Sequence, residues 1–522
     1  MKLNYKRTLC VGFAFFLICA FWQAYDNVIP LILTNKFGMP QTWSGVIMAL
    51  DNILALFMLP LFGAISDRHN GKWGRRTPFI VIGTIVAAIA FVLLSVADNA
   101  QLKNIEGVSS IDDPAALTEI YRAEADKQLM TPDGEQFVLR DKFSEEEFAA
   151  VTSQIEVMTE DFKGATVTNP DYTDYVVPAR QAYAWQVTAE NPATLVFFIL
   201  LLLLVLVSMA TFRSPAVALM PDVTIKPLRS KANAVINLMG AFGGIIVLGL
   251  GIVFATSAVK NSLMSYRAYF LVIAGIMMLS LGIFLLTVNE PKFVREMQAQ
   301  SERFGIDMNE LDESTGEKRR LSKAEKRSLF FLLASIVLWF FGYNAVTSKY
   351  SVYASNILHK DFNTTLIIAQ AAAIVSYLPV GIVSSRVGRK KAILSGIVML
   401  TAAFLVASFL RAGSSTLVMN CMFALAGIGW ATINVNSFPM VVELSTGADV
   451  GKFTGFYYTA SMAAQVVTPM VSGFLMDKAG MTVLFPYATV FVALAFVTML
   501  FVMHGDSRPE AKKGLEAFDV DD

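Results

Sequence analysis

Long apolar runs alternate with short polar segments along most of the 522-residue chain. The run from Thr194 to Phe212 has 19 residues and no charged side chain, which is enough to cross about 30 Å of hydrocarbon as a helix. Comparable runs occur at 8–33, 43–66, 77–97, 193–219, 232–257, 266–288, 329–355, 363–384, 391–410, 415–441, 453–476 and 482–503. The pattern predicts an all-α membrane protein with twelve transmembrane helices, numbered here as spans 1 to 12.

The polar segments divide these spans into two sets of six. We predict an N-terminal half at 1–288, a charged linker at 289–328, a C-terminal half at 329–503 and a tail at 504–522. Lys and Arg are several-fold more frequent in the linker, the termini and the loops on their side than in the opposite loops. Because basic residues near span ends favour the cytoplasm, we expect both termini to be cytoplasmic, in a plasma-membrane protein.

The polar stretch between spans 2 and 3 reads GAISDRHNGKWGRRTPFI. Its basic residues, including Arg68, Arg75 and Arg76, are interpreted as topology determinants. The stretch lacks the glycine spacing and the Ser or Thr of a phosphate-binding loop. This argues against a transporter with its own ATPase.

The second half of the chain repeats features of the first. Five positions of the span 2–3 stretch recur after span 8, namely Gly63/Gly381, Ser66/Ser384, Arg68/Arg386, Gly74/Gly388 and Arg75/Arg389. After spans 4 and 10, Asp222 precedes Lys231 and Glu443 precedes Lys452 by the same interval. The two sets of offsets differ by the length of segment 98–190, so one insertion accounts for the mismatch. Two pseudo-symmetric six-helix bundles are the plan of a secondary transporter with its site at the midplane.

These motifs resemble those of the major facilitator superfamily. Within it, "SDR…GRRTPFI" and "RSPAVALMPDVT…RSKANA" are similar to the sucrose and proton-associated sugar transporters, and more distantly to the glycoside-pentoside-hexuronide cation symporters. The resemblance implies a major facilitator fold in which spans 1, 4, 7 and 10 line a central cavity. It also implies that Asp67 latches the cytoplasmic ends of the two halves in the outward-open state. The cytoplasmic gate is expected to comprise Asp67, Arg68, Arg75, Arg76, Asp222, Lys231, Glu443 and Lys452.

Segment 98–190 separates spans 3 and 4 and contains 19 acidic and 7 basic residues. Asp113 before Pro114 and Ser144 with Glu147 are helix-start signals. We therefore expect a small acidic helical cap on the extracellular side. A solvated insertion without a transport role and a lid that collects ligand are the two alternatives.

Four charged residues fall well inside predicted spans, away from the first and last residues, where ionisable groups are costly and mark functional sites. Asp26 in span 1 and Asp51 in span 2 lie at a similar depth, about 10 Å and 12 Å from the same membrane face at 1.5 Å per residue. A carboxylic acid that exchanges protons at such a depth suits proton coupling, although Asp51 could instead cap a buried amide. Arg213 in span 4 could take part or snorkel to the interface, and Lys349 in span 7 could neutralise Asp26 or Asp51 or reach the outer surface.

Two comparisons with the resembling families bear on the coupling. Plant sucrose carriers have a span 4 arginine whose aligned position here is Val217, one turn from Arg213. The sodium-using symporters have span 2 carboxylates before a proline, where this chain has Leu59 before Pro60. Protons are therefore favoured over sodium as the coupling ion.

Sugar sites combine aromatic faces with paired hydrogen-bonding groups. Candidates of this kind are Trp22, Gln23 and Asn27 in span 1, Tyr343 and Asn344 in span 7, and Trp430 and Asn434 in span 10. The same residue types also join membrane helices and anchor them at interfaces, which is the alternative for each of them.

Overall charge and cysteine content exclude several other classes. Acidic and basic residues balance at 42 each, so no nucleic-acid partner is indicated. The 3 cysteines all fall in predicted spans, and we expect no metal and no cofactor. We predict a monomeric sugar:proton symporter, for a disaccharide or other glucoside, that works by alternating access in the lipid bilayer. The alternatives are a proton-coupled exporter of amphipathic compounds and a membrane nutrient sensor; an enzyme is not expected.

Overall fold

A computed structural model describes residues 3–158, 164–225, 228–304, 322–444 and 450–505. In these parts, twelve helices are long and apolar enough to cross a membrane. They are α1 (Tyr5–Asn35), α2 (Gln41–Arg68), α3 (Thr77–Asn104), α8 (Ala193–Asp222), α9 (Arg229–Val253), α10 (Arg267–Thr287), α12 (Lys323–Tyr353), α13 (Phe362–Val387), α14 (Arg389–Ala407), α15 (Thr416–Val442), α16 (Val450–Ala479) and α17 (Leu484–Leu500). They correspond one to one with spans 1 to 12, which confirms the predicted fold class.

Several of these helices extend beyond their apolar runs because polar residues complete the ends. Asn4 caps α1 by accepting a bond from the Arg7 N–H, and Ser322 with Glu325 forms a capping box at the start of α12. Polar end residues satisfy backbone groups that hydrocarbon cannot. The apolar run alone therefore underestimates the length of a span.

The apolar residues form separate cores. One core joins α1, α3, α8 and α10, and a second joins α12, α14, α15 and α17. Each core draws mainly on one half, although Leu31 of α1 packs in the second core.

The segment between α3 and α8 folds as a small third unit. It contains α4 (Pro114–Glu124), α5 (Leu139–Lys142), α6 (Glu145–Ala149), α7 (Val177–Glu190) and two antiparallel hairpins, β1–β2 (Gln128–Met130, Gln136–Val138) and β3–β4 (Gly164–Thr168 with Gln154–Met158). Its core includes Leu117, Phe148 and Tyr172, each fully buried. The expectation of helices alone was wrong, because strands of three to five residues are too short to show a period.

The residue at which this segment was expected to begin, Asp98, also needs correction. Asp98 belongs to α3, which continues to Asn104. The Asp98 carboxylate pairs with the Lys36 ammonium at 2.5 Å, and both side chains are fully buried. Lys36 also donates to the Met264 carbonyl at 2.7 Å. The pair therefore ties the ends of three helices together, and the name "insert" is used below for residues 105–190.

The charged linker contributes α11 (Glu290–Arg303), which lies against the N-terminal half. Residues 305–321 of the linker and 506–522 of the tail lie outside the described residues. We call the end of the bundle that carries the insert the insert side, and the end that carries α11 the linker side.

Candidate functional site

The two acidic residues of spans 1 and 2 and an arginine of span 4 lie within electrostatic range of one another. Asp26 and Asp51 interact electrostatically with each other, and the Arg213 guanidinium acts on both. Asp51 also accepts a bond from the Asn52 side chain at 2.7 Å. The Arg213 guanidinium lies 5.6 Å from the centre of the Trp22 ring, within cation–π range. The arrangement unites two carboxylates and one cation inside the N-terminal bundle.

A cavity of about 340 Å³ adjoins this charged group and lies between the two halves. Its lining includes Phe15 and Cys19 of α1, Arg213 and Val217 of α8, Asn233 and Asn237 of α9, Gln370 and Tyr377 of α13, and Tyr458 of α16. Its position between the bundles agrees with the site expected from the repeat.

Two amide side chains converge from opposite halves beside this cavity. A Cβ atom on Gly244 of α9 would lie 3.3 Å from Gln23 Oε1 and 3.1 Å from Gln370 Nε2. The absence of a side chain on Gly244 therefore lets the two amides approach α9. Gln23 was a sequence candidate, whereas Gln370 was not.

Several buried polar atoms on α1, α12 and α13 have no hydrogen-bond partner among the described residues. They are Trp22 Nε1, Tyr25 Oη, Asn344 Nδ2 and Gln370 Oε1. Buried polar atoms are almost always paired, so each such atom requires an explanation. Gln370 lines the cavity, so its Oε1 is the atom of this set that a ligand in the cavity can reach.

The aromatic candidates of the C-terminal half do come together, but against each other. The rings of Tyr343 and Trp430 stack with centroids 3.6 Å apart and planes 3° apart. Neither residue lines the cavity described above. Asn434 is buried in α15 and Asn27 is buried in α1. Phe340 also packs against Trp430, with centroids 5.2 Å apart, so the pair belongs to the packing of the C-terminal half.

Lys349 lies elsewhere than either sequence alternative placed it. Its side chain is fully buried, so it does not reach the surface. Its ammonium donates to the Gln41 carbonyl at 2.7 Å and interacts with Asp477 rather than with the acidic pair. These partners lie far away in sequence, which is why the chain alone did not reveal them. The assignment of Lys349 to the coupling group is therefore corrected to the insert-side contact.

The two halves are joined by hydrogen bonds on the insert side. Asp477 of α16 accepts from the Gln41 and Thr42 backbone N–H groups at 2.8 Å and 2.7 Å, at the start of α2. Across the bundle, the Ser257 hydroxyl donates to Asp361 at 2.7 Å. Backbone packing is also close there, since a Cβ atom on Gly473 would lie 2.2 Å from the Gln41 carbonyl oxygen. The insert side is therefore closed in this structure.

On the linker side, the predicted gate residues form a network within each half. Arg76 pairs with Asp67 at 2.5 Å and with Asp222 at 2.8 Å. In the C-terminal half Arg389 pairs with Glu443. In the sequence alignment of the two halves, Arg75 corresponds to Arg389. In the structure, Arg76 is the residue that forms the ion pair equivalent to Arg389–Glu443, so the alignment is shifted by one residue at this point.

The remaining gate candidates have different surroundings. Arg68 and Arg75 have exposed side chains, and Lys231 is partly buried in the first turn of α9. The side chain of Lys452 lies outside the described residues. Asp67 pairs within its own half in this structure; its role as a latch in the opposite state stays a prediction.

Sequence reasoning did not identify Glu290 as a partner of the span 2–3 loop. Its carboxylate accepts from the backbone N–H groups of Arg75, Arg76 and Thr77, at 2.6 to 2.9 Å for the shortest bond to each, and from the Thr77 hydroxyl at 2.7 Å. It thereby satisfies orphan donors at the start of α3. Glu290 was not recognisable because it lies beyond four intervening spans and the insert.

Comparisons with known proteins agree with this architecture. The "Major Facilitator Superfamily" profile matches residues 182–444 and 352–519, and the "MFS/sugar transport protein" profile matches residues 10–102. The Arabidopsis thaliana sucrose transport protein SUC4 is 39% identical over 60 residues, 12% of each chain. The Homo sapiens proton-associated sugar transporter A is 34% identical over 85 residues, 16% of this chain and 11% of that protein. The chain therefore matches only a small part of these relatives' length.

Solved structures match over nearly the whole chain at low identity. The inward-open xylose transporter XylE from E. coli has a TM-score of 0.59 at 12% identity, covering 97% of this chain and 98% of XylE. A bacterial homologue of the iron transporter ferroportin in the inward-facing state has a TM-score of 0.56 at 12% identity, covering 96% and 99%. At this identity the likeness establishes the fold alone. Together with the profile that spans most of the chain, it shows that this multi-pass membrane protein belongs to the Major Facilitator Superfamily.

Proposed function

We propose that the protein is a sugar:proton symporter that takes up a disaccharide or another glucoside by alternating access. The observation that carries this proposal is the group formed by Asp26, Asp51 and Arg213 beside a polar cavity between the halves. The names of the partial relatives, a sucrose transport protein and a proton-associated sugar transporter, support the choice of substrate and ion.

The acidic pair suits proton coupling because two nearby carboxylates in a poorly hydrated site resist double ionisation. We propose that movement of the Arg213 guanidinium, the cation that acts on both carboxylates, accompanies gain or loss of a proton by the pair. A ligand in the cavity would affect the position of Arg213, because Arg213 lines the cavity and its guanidinium lies 5.6 Å from the centre of the Trp22 ring. Occupation of the cavity would therefore alter the energy of the proton on the pair.

The polar groups at the cavity suit a sugar. Gln23 and Gln370 approach from opposite halves, so a ligand bonded to both would draw the bundles together. An amide offers both a donor and an acceptor and can pair with adjacent hydroxyls. The Trp22 ring could support the apolar face of a pyranose.

The closed insert side indicates which step of the transport cycle this structure represents. With Asp477, Lys349 and Asp361 bridging the halves there, the cavity can open only toward the linker side. Return to the opposite state requires these bonds to break. We propose that this structure represents the inward-facing state of the cycle, with both termini in the cytoplasm of the cell.

The direct test is uptake of a panel of labelled sugars into proteoliposomes with and without an imposed pH gradient. We expect one or more glucosides to accumulate only when the outside is acidic, and protein-free liposomes to show no accumulation. No sugar accumulating under any gradient would contradict the proposal. Extrusion of an amphipathic dye under the same gradient would instead indicate an exporter.

A further inference from the structure

The insert is firmly attached to the N-terminal half. The Gln181 amide donates to Asn35 Oδ1 at 3.1 Å, and the Gln101 amide of α3 donates to the Thr188 hydroxyl at 2.9 Å. The insert core also includes Val259 and Leu263 from the loop before α10. The insert therefore moves with the N-terminal bundle as one body.

The tip of the β1–β2 hairpin nevertheless contacts the C-terminal half. The Met481 backbone N–H donates to the Pro132 carbonyl at 2.7 Å. Arg411, in the loop between α14 and α15 of the same half, lies 3.8 Å from the Asp133 carboxylate. The Thr482 hydroxyl donates to the Asp133 carbonyl at 3.4 Å. Three separate polar contacts thus join the hairpin tip to the C-terminal bundle.

At the contact between the hairpin tip and the C-terminal half, the two backbones pack closely. Gly134 and Gly480 have φ values of 97° and 86°, in the region that favours glycine. A Cβ atom on Gly480 would lie 2.5 Å from the Gly134 nitrogen, and one on Gly134 would lie 2.6 Å from the Ala479 carbonyl oxygen. Neither glycine has room for a side chain, so the two main chains pack directly against each other.

We infer that the hairpin tip, residues 131–135, is a strap that holds the insert side closed. It is carried by one half and fastened to the other, on the side that must open to admit substrate from the insert side. The strap adds favourable contacts to the closed state that are lost when the bundles separate, and so sets the balance between the two states. This inference rests on the proposed alternation of the halves but not on the identity of the substrate.

Met481 offers a specific way to release the strap. It occupies the first position of a short helix, where proline is tolerated, and Gly480 before it has ψ 165°, which proline permits. Met481→Pro therefore removes the donor to Pro132 without altering the helix start. Met481→Ala is the matched control, because it shortens the same side chain and keeps the N–H group.

The readout is the distance between spin labels on the insert side, measured by electron–electron resonance in nanodiscs. Labels at Lys260→Cys and Ser415→Cys report on opposite halves, in a chain whose Cys10, Cys19 and Cys421 are replaced by Ser. Loss of one hydrogen bond of ordinary strength predicts that the ratio of open to closed molecules rises about fivefold in Met481→Pro and stays near the starting value in Met481→Ala. Equal distance distributions in the two variants would overturn the strap; sugar uptake by the unaltered protein would then leave the proposed function standing.

A disulfide cross-link tests the contact between the hairpin tip and the C-terminal half without a variant that breaks it. In the cysteine-free chain, Asp133→Cys with Thr482→Cys is expected to form a disulfide in high yield on mild oxidation, and the pair Asp126→Cys with Thr482→Cys is expected to remain reduced. Mass spectrometry of digested protein measures both yields. A yield for the first pair no higher than for the second would overturn the strap.

Discussion

At the scale of single residues, position along the chain revealed the charged group but not the cavity beside it. Asp26, Asp51 and Arg213 stood out because charge is rare in apolar runs. Gln370 did not stand out, because a lone amide in a span usually joins helices. On α9, Asn233 and Asn237 lie four residues apart and mark a polar face, but this helix is span 5, which is not one of the four spans expected to line the cavity.

Gln370 provides a test of the cavity. Gln370→Leu should weaken sugar binding about five- to thirtyfold, the effect of losing one or two hydrogen bonds, because its Oε1 has no partner among the described residues. The melting temperature should change little for the same reason. Thr401→Val is the matched control, since Thr401 Oγ1 is also buried without a described partner but lies on α14 away from the cavity. Equal affinities in both variants, measured by calorimetry, would exclude Gln370 from the site.

Asp174 of the insert predicts a pH dependence. Burial and the neighbouring Asp133, Asp171 and Glu135 raise the pKa of Asp174 to about 6. Because its pKa is higher in the folded insert, Asp174 binds more protons in the folded insert than in the unfolded insert. The stability of the insert therefore falls as pH rises from about 4 to 6 and stays lower above that.

Asp174→Asn should therefore stabilise the insert above pH 6 by about 1 kcal/mol, allowing for solvent screening, and have little effect near pH 4. Hydrogen exchange of the insert in the intact protein at several pH values measures this. Asp126→Asn, at an exposed site, is the control and should be nearly neutral throughout. A stabilisation by Asp174→Asn that is the same at pH 4 and pH 7 would show that charge is not the cause.

At the scale of elements, the apolar pattern was sufficient for all twelve spans but not for their contacts. Helix count follows from the thickness of hydrocarbon that each run must cross. The contacts depend on which face each helix presents, and glycines at the crossing of α2 and α16 carried no distinctive sequence signal. The two hairpins of the insert were missed because each strand is shorter than one reliable repeat of alternation.

The close crossing of α2 and α16 predicts a steric switch. Gly473→Ala places a methyl group where the Gln41 carbonyl oxygen lies 2.2 Å away, so α2 and α16 cannot approach on the insert side. We expect the insert-side distance between the labels at positions 260 and 415 to lengthen and uptake to fall at least tenfold. Gly455→Ala lies on the same helix in open space and should retain uptake. Closed distances in Gly473→Ala would contradict the role of this crossing.

At the scale of the whole molecule, each half has its own main core, and the halves meet on the insert side through polar bonds and through the close backbone crossing of α2 and α16. The sequence repeat predicted two bundles of the same plan. In the structure, each bundle has an arginine that pairs with an acidic residue on the linker side. The repeat did not foretell the state of the bundles, since bonds such as that from Lys349 to Gln41 join segments related only in three dimensions. Orientation in the membrane remains the prediction from the distribution of Lys and Arg.

The central claim is that the acidic pair couples sugar movement to protons, and Asp26→Asn tests it most directly. The measurement is sugar uptake and proton uptake recorded together in proteoliposomes containing the unaltered protein or the variant. The account predicts that the unaltered protein accumulates sugar with protons under an inward pH gradient. It predicts that Asp26→Asn still exchanges labelled for unlabelled sugar but no longer accumulates it or takes up protons. Accumulation and proton uptake at the unaltered level in Asp26→Asn would contradict the account.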